Sequence, residues 1–328
     1  MIKDRVPWWG QRTELLPGWR EYVDKTWRKR ERSSVFDDLR WGWRFYRASK
    51  HYDAVVSGYE RPAVLFALLQ RFCRRQRVPH VFLYVSFNLP ESRLAKTLRR
   101  LLIRQIIAVA CRIVVHSKHQ GREYARVFRS QLSKFSFVPY FSTTFGASYP
   151  TSEGGYVFAG GDYTRDYANL IEAVGPLPYR VVIAAFFRHY FKGIQIPPNV
   201  EILTTTPDGF NELIAGANVI VVPLQGGLLH PGGHNTFLSA MALGKTVIVT
   251  DDGGAEDYIK DGETGVLIRP GAPEELRRSI RTLMENRELA RSIGEKASVA
   301  ARGFSLDSFL IRVLELAREC ANGKKPVS

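Results

Sequence analysis

Cysteine is scarce in this chain, with Cys73, Cys111 and Cys320 alone in 328 residues, and their spacing fits neither a disulfide framework nor a zinc site. Unpaired thiols and a reducing cytoplasm are the resulting expectation. Long apolar runs are missing as well. The greasiest stretch, 101–111, is interrupted by Arg104 and falls short of the roughly 20 residues that span a bilayer, and no signal-peptide pattern opens the sequence. A chain that does not cross a membrane by itself is expected, in the cytoplasm or peripheral at the inner face of the membrane. Internal repeats and low-complexity tracts are absent.

Acidic residues are short in one half only. Residues 1–150 carry 29 basic against 11 acidic side chains, whereas residues 151–328 carry 18 against 21. All six tryptophans, at positions 8, 9, 19, 27, 41 and 43, lie in the basic half, interleaved with runs such as Trp27-Arg-Lys-Arg30. Trp beside Arg and Lys suits an anionic lipid surface or a lipid-linked acceptor. A basic groove with stacking aromatics would also hold single-stranded nucleic acid, the less favoured partner, and ordinary core and surface packing is the plain alternative.

From residue 52 onward short apolar runs alternate with helical stretches, which predicts an α/β protein with parallel sheets. The first series has strand-like runs at 52–57, 80–86, 112–116 and 135–139. Between them, 92–110 reads as a helix with Arg93, Lys96, Arg100 and Arg104 forming a basic stripe, and Leu94, Leu98, Leu101 and Leu102 on the remaining surface. That helix can face the core with a solvated charged side, or dock on anionic lipid. A Ser/Thr/Gly/Pro-rich boundary at 142–155 precedes a fuller series at 156–160, 179–185, 200–204, 218–223, 246–250 and 265–268. After Pro273 the spacing is helical to the end. The expected division is a basic, Trp-rich domain over 1–145, a ligand-binding Rossmann-like domain over 146–305, and a terminal helix over 306–328 returning to the first domain.

The segment Pro223-Leu-Gln-Gly-Gly-Leu-Leu-His-Pro-Gly-Gly-His-Asn-Thr236 is a strand end, a glycine-rich loop and a helix start. Such a loop gathers free backbone N–H groups at a positive helix end, and Gly232 and Gly233 permit close approach of an anion. Asn235 and Thr236 can cap the helix or donate to that anion. A phosphate is the natural occupant. His116, Ser117 and Lys118 follow a first-domain strand at its carboxyl end, a second place where polar residues meet ligands. Asp251, Asp252 and Asp257 read as helix caps rather than a cation site, and no metal is expected.

The run Ala240-Met-Ala-Leu-Gly-Lys-Thr-Val-Ile-Val-Thr-Asp251, then Gly253-Gly254, Asp257 and Asp261-Gly-Glu-Thr-Gly-Val-Leu-Ile-Arg-Pro-Gly271, resembles the GT-B glycosyltransferases, particularly the family 4 group. Upstream, Val157-Phe-Ala-Gly-Gly-Asp-Tyr-Thr-Arg-Asp166 is similar to the first strand and loop of that family's donor domain. The resemblance covers 156–320 well and the N-terminal half in outline. It implies two Rossmann-like domains facing a central cleft, the N-terminal one reduced, and metal-independent transfer of a sugar from a nucleotide-sugar donor to a glycan or lipid-linked acceptor, with retention and no cofactor. It further implies a donor site of Gly160, Gly161, Arg165, Pro223, Gly232, Gly233, His234, Asn235, Thr236 and Ser239, with Arg165 and His234 at the reaction centre. Arg165 takes the place of the family's phosphate-binding Lys, while Gly161 stands where the family has an Arg, leaving Arg188 or Lys192 to supply a second cation. The family's two glutamates are replaced by Pro231 and Ser239, and its N-domain histidine is absent from Tyr84-Val-Ser-Phe-Asn88. Two other readings remain: a scaffold without catalysis that binds a partner or glycan, and an epimerase or phosphorylase on the same framework.

Overall fold

The computed structural model describes residues 35–58, 61–73, 78–83, 85–144, 149–230, 232–251 and 253–323, with only the backbone of Arg188. Trp8, Trp9, Trp19, Trp27, Tyr84, Pro231 and Asp252 lie outside the described residues. The described residues form two compact units, one within 35–115, 124–138 and 307–323, the other within 116–123 and 139–306.

In the first unit, β1 (Val55–Gly58), β2 (His80–Leu83), β3 (Arg112–Val115) and β4 (Phe135–Phe137) form a parallel sheet in chain order. The helix α1 (Val35–Ser49) precedes β1, α2 (Arg61–Phe72) and α3 (Arg93–Val109) connect β1 to β2 and β2 to β3, and α1 packs on α2 and α2 on α3. α4 (Lys118–Phe128) follows β3. β2 and most of β3 are fully buried, as in the middle of a parallel sheet covered by helices, whereas β1 is half-buried along its length. Tyr124 from α4 fixes the chain after β2, its hydroxyl donating to the Val85 carbonyl at 3.1 Å and accepting from the Phe87 amide at 3.0 Å.

Two expectations are corrected by the structure, that Trp41 is free to meet lipid and that the thiols are unpaired, and the buried face of α3 is defined. On α3 the buried stripe is Ile103, Ile106 and Ile107, while Leu94, Leu98 and Leu101 face solvent at 72%, 58% and 49% exposure. A basic helix with many leucines carries two apolar stripes, and the one ending in β-branched residues packs against the core. Trp41 is buried, with the Arg44 guanidinium 5.0 Å from its ring, so it is not free to meet lipid; Trp43 is half-exposed. Cys111, just before β3, and Cys320, in α10 (Leu306–Ala321), form a disulfide across 209 residues, leaving Cys73 as the free thiol. Spacing rules read local cysteine patterns, and this pairing arises only because the terminal helix belongs to the first unit.

His80 is fully buried between Phe66 and Phe82, bonded through Nε2 to the Ser57 hydroxyl at 2.8 Å, with Nδ1 lacking a partner. Burial pushes its pKa from 6.5 down to about 3. The unfolded chain therefore binds one more proton than the folded chain between those values, so this group costs stability as the pH falls below 6.5. The slope is about 1.4 kcal/mol per pH unit. The acid limb of a denaturation series should thus be shallower for His80→Phe than for the parent between pH 6 and about 4, although the two are similar near neutrality. Identical acid limbs would show that His80 takes up its proton as readily in the fold as in the unfolded chain.

In the second unit, β5 (Tyr156–Gly160), β6 (Arg180–Ala184), β7 (Val200–Leu203), β8 (Val219–Val222), β9 (Thr246–Thr250) and β10 (Val266–Ile268) make a parallel sheet ordered β10-β9-β8-β5-β6-β7. Covering it are α5 (Tyr167–Val174), α6 (Pro207–Gly216), α7 (His234–Ala242), α8 (Pro273–Glu285) and α9 (Arg287–Ala301). Local chemistry sets their starts: Asp166, Thr206 and Asn286 side chains accept from the amides of Asn169, Gly209 and Leu289, and Pro207 and Pro273 occupy first-turn positions. Val157, Ala159, Val219, Val221 and Ile248 meet Leu170, Ile171, Leu276, Ile280 and Ile293 in one core. Lys245 closes the far end, its amine donating to the carbonyls of Ser152 at 2.7 Å and Ala217 at 2.9 Å.

Candidate anion site at the β5–β8 switch point

Strand order reverses between β5 and β8, which are neighbours although β6 and β7 lie on one side and β9 and β10 on the other. In an open α/β sheet, the space beyond the carboxyl ends of the strands at such a reversal is where ligands bind. Two loops meet there, 161–166 after β5 and 223–233 after β8. The Asp166 amide donates to the Pro223 carbonyl at 2.9 Å, the Gln225 amide to the Thr164 carbonyl at 2.9 Å, and Arg165 pairs with Leu224 as an isolated bridge.

Arg165 is the centre of this junction and is only 4% exposed. Its Nε donates to the Gly160 carbonyl at 2.9 Å, Nη1 to the Tyr163 carbonyl at 2.8 Å, and Nη2 to the Thr236 hydroxyl at 3.1 Å. Three of the five guanidinium N–H groups are thereby committed. No carboxylate forms an ion pair with it among the described residues. Burial lowers its pKa, opposed by the nearby Tyr167, Tyr190 and Asp162. A buried guanidinium without a counter-ion is costly unless an anion completes the site.

The glycines are required here by geometry. Gly161 has φ 104°, and a Cβ on it would lie 2.6 Å from Arg165 Nη2. Gly233 has φ 80°, and a Cβ there would lie 2.6 Å from Val222 Cγ1. A Cβ on Gly232 would collide with the Thr164 hydroxyl. Thr164 itself sits at φ 60°, a strained position for a β-branched residue of the kind that clusters at ligand sites.

α7 starts at His234 without a side-chain cap. The amides of Thr236 and Phe237 return to the Gly233 carbonyl, and the Thr236 hydroxyl is spent on Arg165. The positive end of the helix is therefore open to an anion beside the guanidinium. Asn235 hydrogen-bonds the Tyr140 hydroxyl. Ser239 is buried one turn further along, its carbonyl 3.4 Å from the Thr144 hydroxyl.

His234 is 8% exposed and enclosed by Tyr258, Phe237 and Tyr140 with ring centroids 5.0, 5.3 and 5.8 Å away, and His116 at 6.4 Å. Burial above all, with His116 and Arg165 adding to it, pushes its pKa down to about 3, against a hydrogen bond to the His116 backbone. It is a neutral imidazole at physiological pH, able to exchange a hydrogen bond but not to add positive charge. Its Nε2 is buried without a partner.

His116 supplies its carbonyl to the Tyr258 hydroxyl at 2.6 Å, and that hydroxyl accepts from the Tyr140 amide at 2.8 Å. Ser117 is buried and accepts from the Gln120 amide, and Lys118 pairs with Asp257 at 3.2 Å. Asp251 accepts from the amides of Gly253, Gly254 and Ala255, capping the next turn. Lys192 is exposed at the end of a short helical turn, 188–191.

One pair escaped the sequence reading. Tyr163 stacks on His230 with centroids 5.4 Å apart and is hydrogen-bonded to its Nε2, while His230 Nδ1 is buried without a partner. The available signal was position: Tyr163 lies two residues past Gly161 and His230 two before Gly232, on the two loops that flank the switch point.

A doubly wound unit of this kind agrees with what the chain is similar to. Residues 185–299 match the family described as glycosyl transferases group 1. A stretch of 66 residues is 36% identical to an uncharacterized glycosyltransferase of Methanocaldococcus jannaschii, covering 20% of this chain and 17% of that protein. The chain thus spans less than a fifth of the length of that curated relative. Among solved structures, sucrose-phosphate synthase from Thermosynechococcus elongatus superposes with TM-score 0.70 at 18% identity, covering 86% of this chain and 77% of the other. HepE from Anabaena, solved in complex with UDP, gives TM-score 0.65 at 16% identity over 86% and 81%. These likenesses establish the fold as the GT-B type, with two Rossmann-like units.

Proposed function

We propose that the chain is a glycosyltransferase of family 4 character that moves a sugar from a nucleotide-sugar donor to a glycan or lipid-linked acceptor. The observation that carries this reading is Arg165: a buried guanidinium held beside an uncapped helix start, with two N–H groups and its charge left for a phosphate. In transfer, the bond from the anomeric carbon to the donor's terminal phosphate oxygen breaks, and negative charge grows on that phosphate. Fixed donors aimed at the growing charge lower the barrier. Arg165 contributes its cation, and the first amides of α7 with Gly232 and Gly233 contribute dipoles, so that no metal or cofactor is assigned. His234, neutral, is a hydrogen-bonding group near the donor. Ser239 takes the position of the ribose-binding glutamate and would grip the ribose as a neutral hydroxyl. HepE is described with UDP and UDP-glucose, which supports a nucleoside diphosphate as the ligand class. Retention of configuration is the expected outcome.

The test is turnover. Incubation with a panel of nucleotide sugars and a membrane or glycan extract should release a nucleoside diphosphate and label one acceptor with the sugar. Tight binding of the donor with no release would instead support a scaffold that binds without catalysis, and free sugar isomers would support an epimerase.

A further inference from the structure

The first unit carries a surface that the transfer chemistry does not use. On α3, Leu94, Leu98 and Leu101 lie at spacings of four and three residues and form one exposed stripe, continued by the exposed Arg104 and Ala108. Arg93, Arg99, Arg100 and Arg104 border it, all exposed. None of these arginines, nor Lys96, makes an ion pair among the described residues. α3 has no acid, and from Arg93 to Lys134 the chain holds eleven basic residues against the single acid Glu123. At the end of the stripe a surface hollow of about 300 Å³ is lined by Arg104, Ala108, Arg129 and Lys134, with Ile107 and Phe128 at its floor. The Lys134 amine is tethered there by donating to the Ala110 carbonyl at 2.5 Å.

We propose that this face of α3 is a docking surface for anionic phospholipid bilayers, with the leucines entering the interface and the Arg104, Arg129 and Lys134 hollow receiving a lipid phosphate. Leucine flanked by arginine is the chemistry of a helix lying in the membrane interface: the apolar edge enters the acyl boundary while guanidinium groups remain with the headgroups. A nucleic acid would use the cations but leave three exposed leucines against a polar backbone. A protein partner would need acidic complementarity across the same arc, and a second copy of this chain would oppose like charges. Among the described residues no helix is long and apolar enough to cross a membrane, so contact through this face is peripheral. The inference stands whether or not the chain transfers sugar.

The full chain should be co-sedimented with vesicles of phosphatidylcholine alone and of phosphatidylcholine with phosphatidylglycerol. Binding is expected only to the second, falling steeply as salt is raised, because surface attraction is screened. Removing charge with Arg99→Gln, Arg100→Gln and Arg104→Gln together should weaken binding about a hundredfold, roughly fivefold for each arginine near the surface. Leu94→Gln, Leu98→Gln and Leu101→Gln together should weaken it at least about tenfold at unchanged charge. All six positions are exposed, so the melting temperature serves as the control for folding. Equal binding to both vesicle types, loss by the arginine set but not the leucine set, or binding unaffected by either set would each overturn the proposal. So would preference for a single-stranded oligonucleotide over the anionic vesicles.

Discussion

Arg165→Ala is expected to reduce sugar transfer by about a hundredfold to a thousandfold, the effect of removing one preorganised donor from a growing oxyanion. Two stability effects accompany it and oppose each other. The Gly160 and Tyr163 carbonyls and the Thr236 hydroxyl lose their donor, and a buried polar group left unpaired costs about 1–3 kcal/mol. Removing an uncompensated buried cation gives part of that back. The net should be a moderate destabilisation, smaller than the three losses summed. Arg165→Lys separates the roles: a lysine keeps the charge but cannot fork to three acceptors, so it should retain part of the nucleotide affinity while remaining destabilised. Gly161→Ala attacks the same group from outside, since its Cβ would lie 2.6 Å from Nη2 and its φ of 104° disfavours any side chain. Rates per folded molecule for the three variants decide the matter; full activity in Arg165→Ala would make the residue a brace between loops and nothing more.

Cys320→Ser is expected to produce the largest loss of stability. The disulfide closes 209 residues, for which the chain-entropy estimate is about 5 kcal/mol, with measured bridges more often at 2–5 kcal/mol. The loss belongs to the first unit, in which the bridge joins the residue just before β3 to the terminal helix. Denaturation of the parent with a thiol reductant should match the Cys320→Ser variant, and Cys73→Ser should match the oxidised parent. Parent midpoints that are the same with and without reductant would show that the bridge does not form in solution.

Much of the sheet architecture was legible because buried parallel strands are written in uninterrupted β-branched runs. Val219-Ile-Val-Val222 and Thr246-Val-Ile-Val-Thr250 are such runs; the glycine-rich turn after the first leads into α7, whereas the one after the second leads only to a short helical turn, Ala255–Asp257, and β10. The glycine-rich start of α7 was legible for the same reason. What the chain order hides is which distant groups share a volume. His234 at a helix start reads the same whether it meets a ligand or a core; its burial comes from Tyr140, Tyr258 and His116, contributed by separate segments. Arg165 reads as a free cation, yet two of its donors go to the nearby carbonyls of Gly160 and Tyr163 and a third to the hydroxyl of the distant Thr236. The Cys111–Cys320 pairing depends on the return of α10, and the outward face of α3 depends on which of two apolar stripes won the core.

The proposed function requires that Arg165 and the start of α7 bind a nucleoside diphosphate. The most direct measurement is thermal shift, confirmed by titration calorimetry, of the chain and of Arg165→Ala with nucleoside diphosphates and nucleotide sugars in the presence of a chelator. A ligand that binds only the native state raises the melting temperature with its concentration. A shift selective for one base in the parent and lost in Arg165→Ala is the predicted result, whereas a flat panel in the parent would contradict the account.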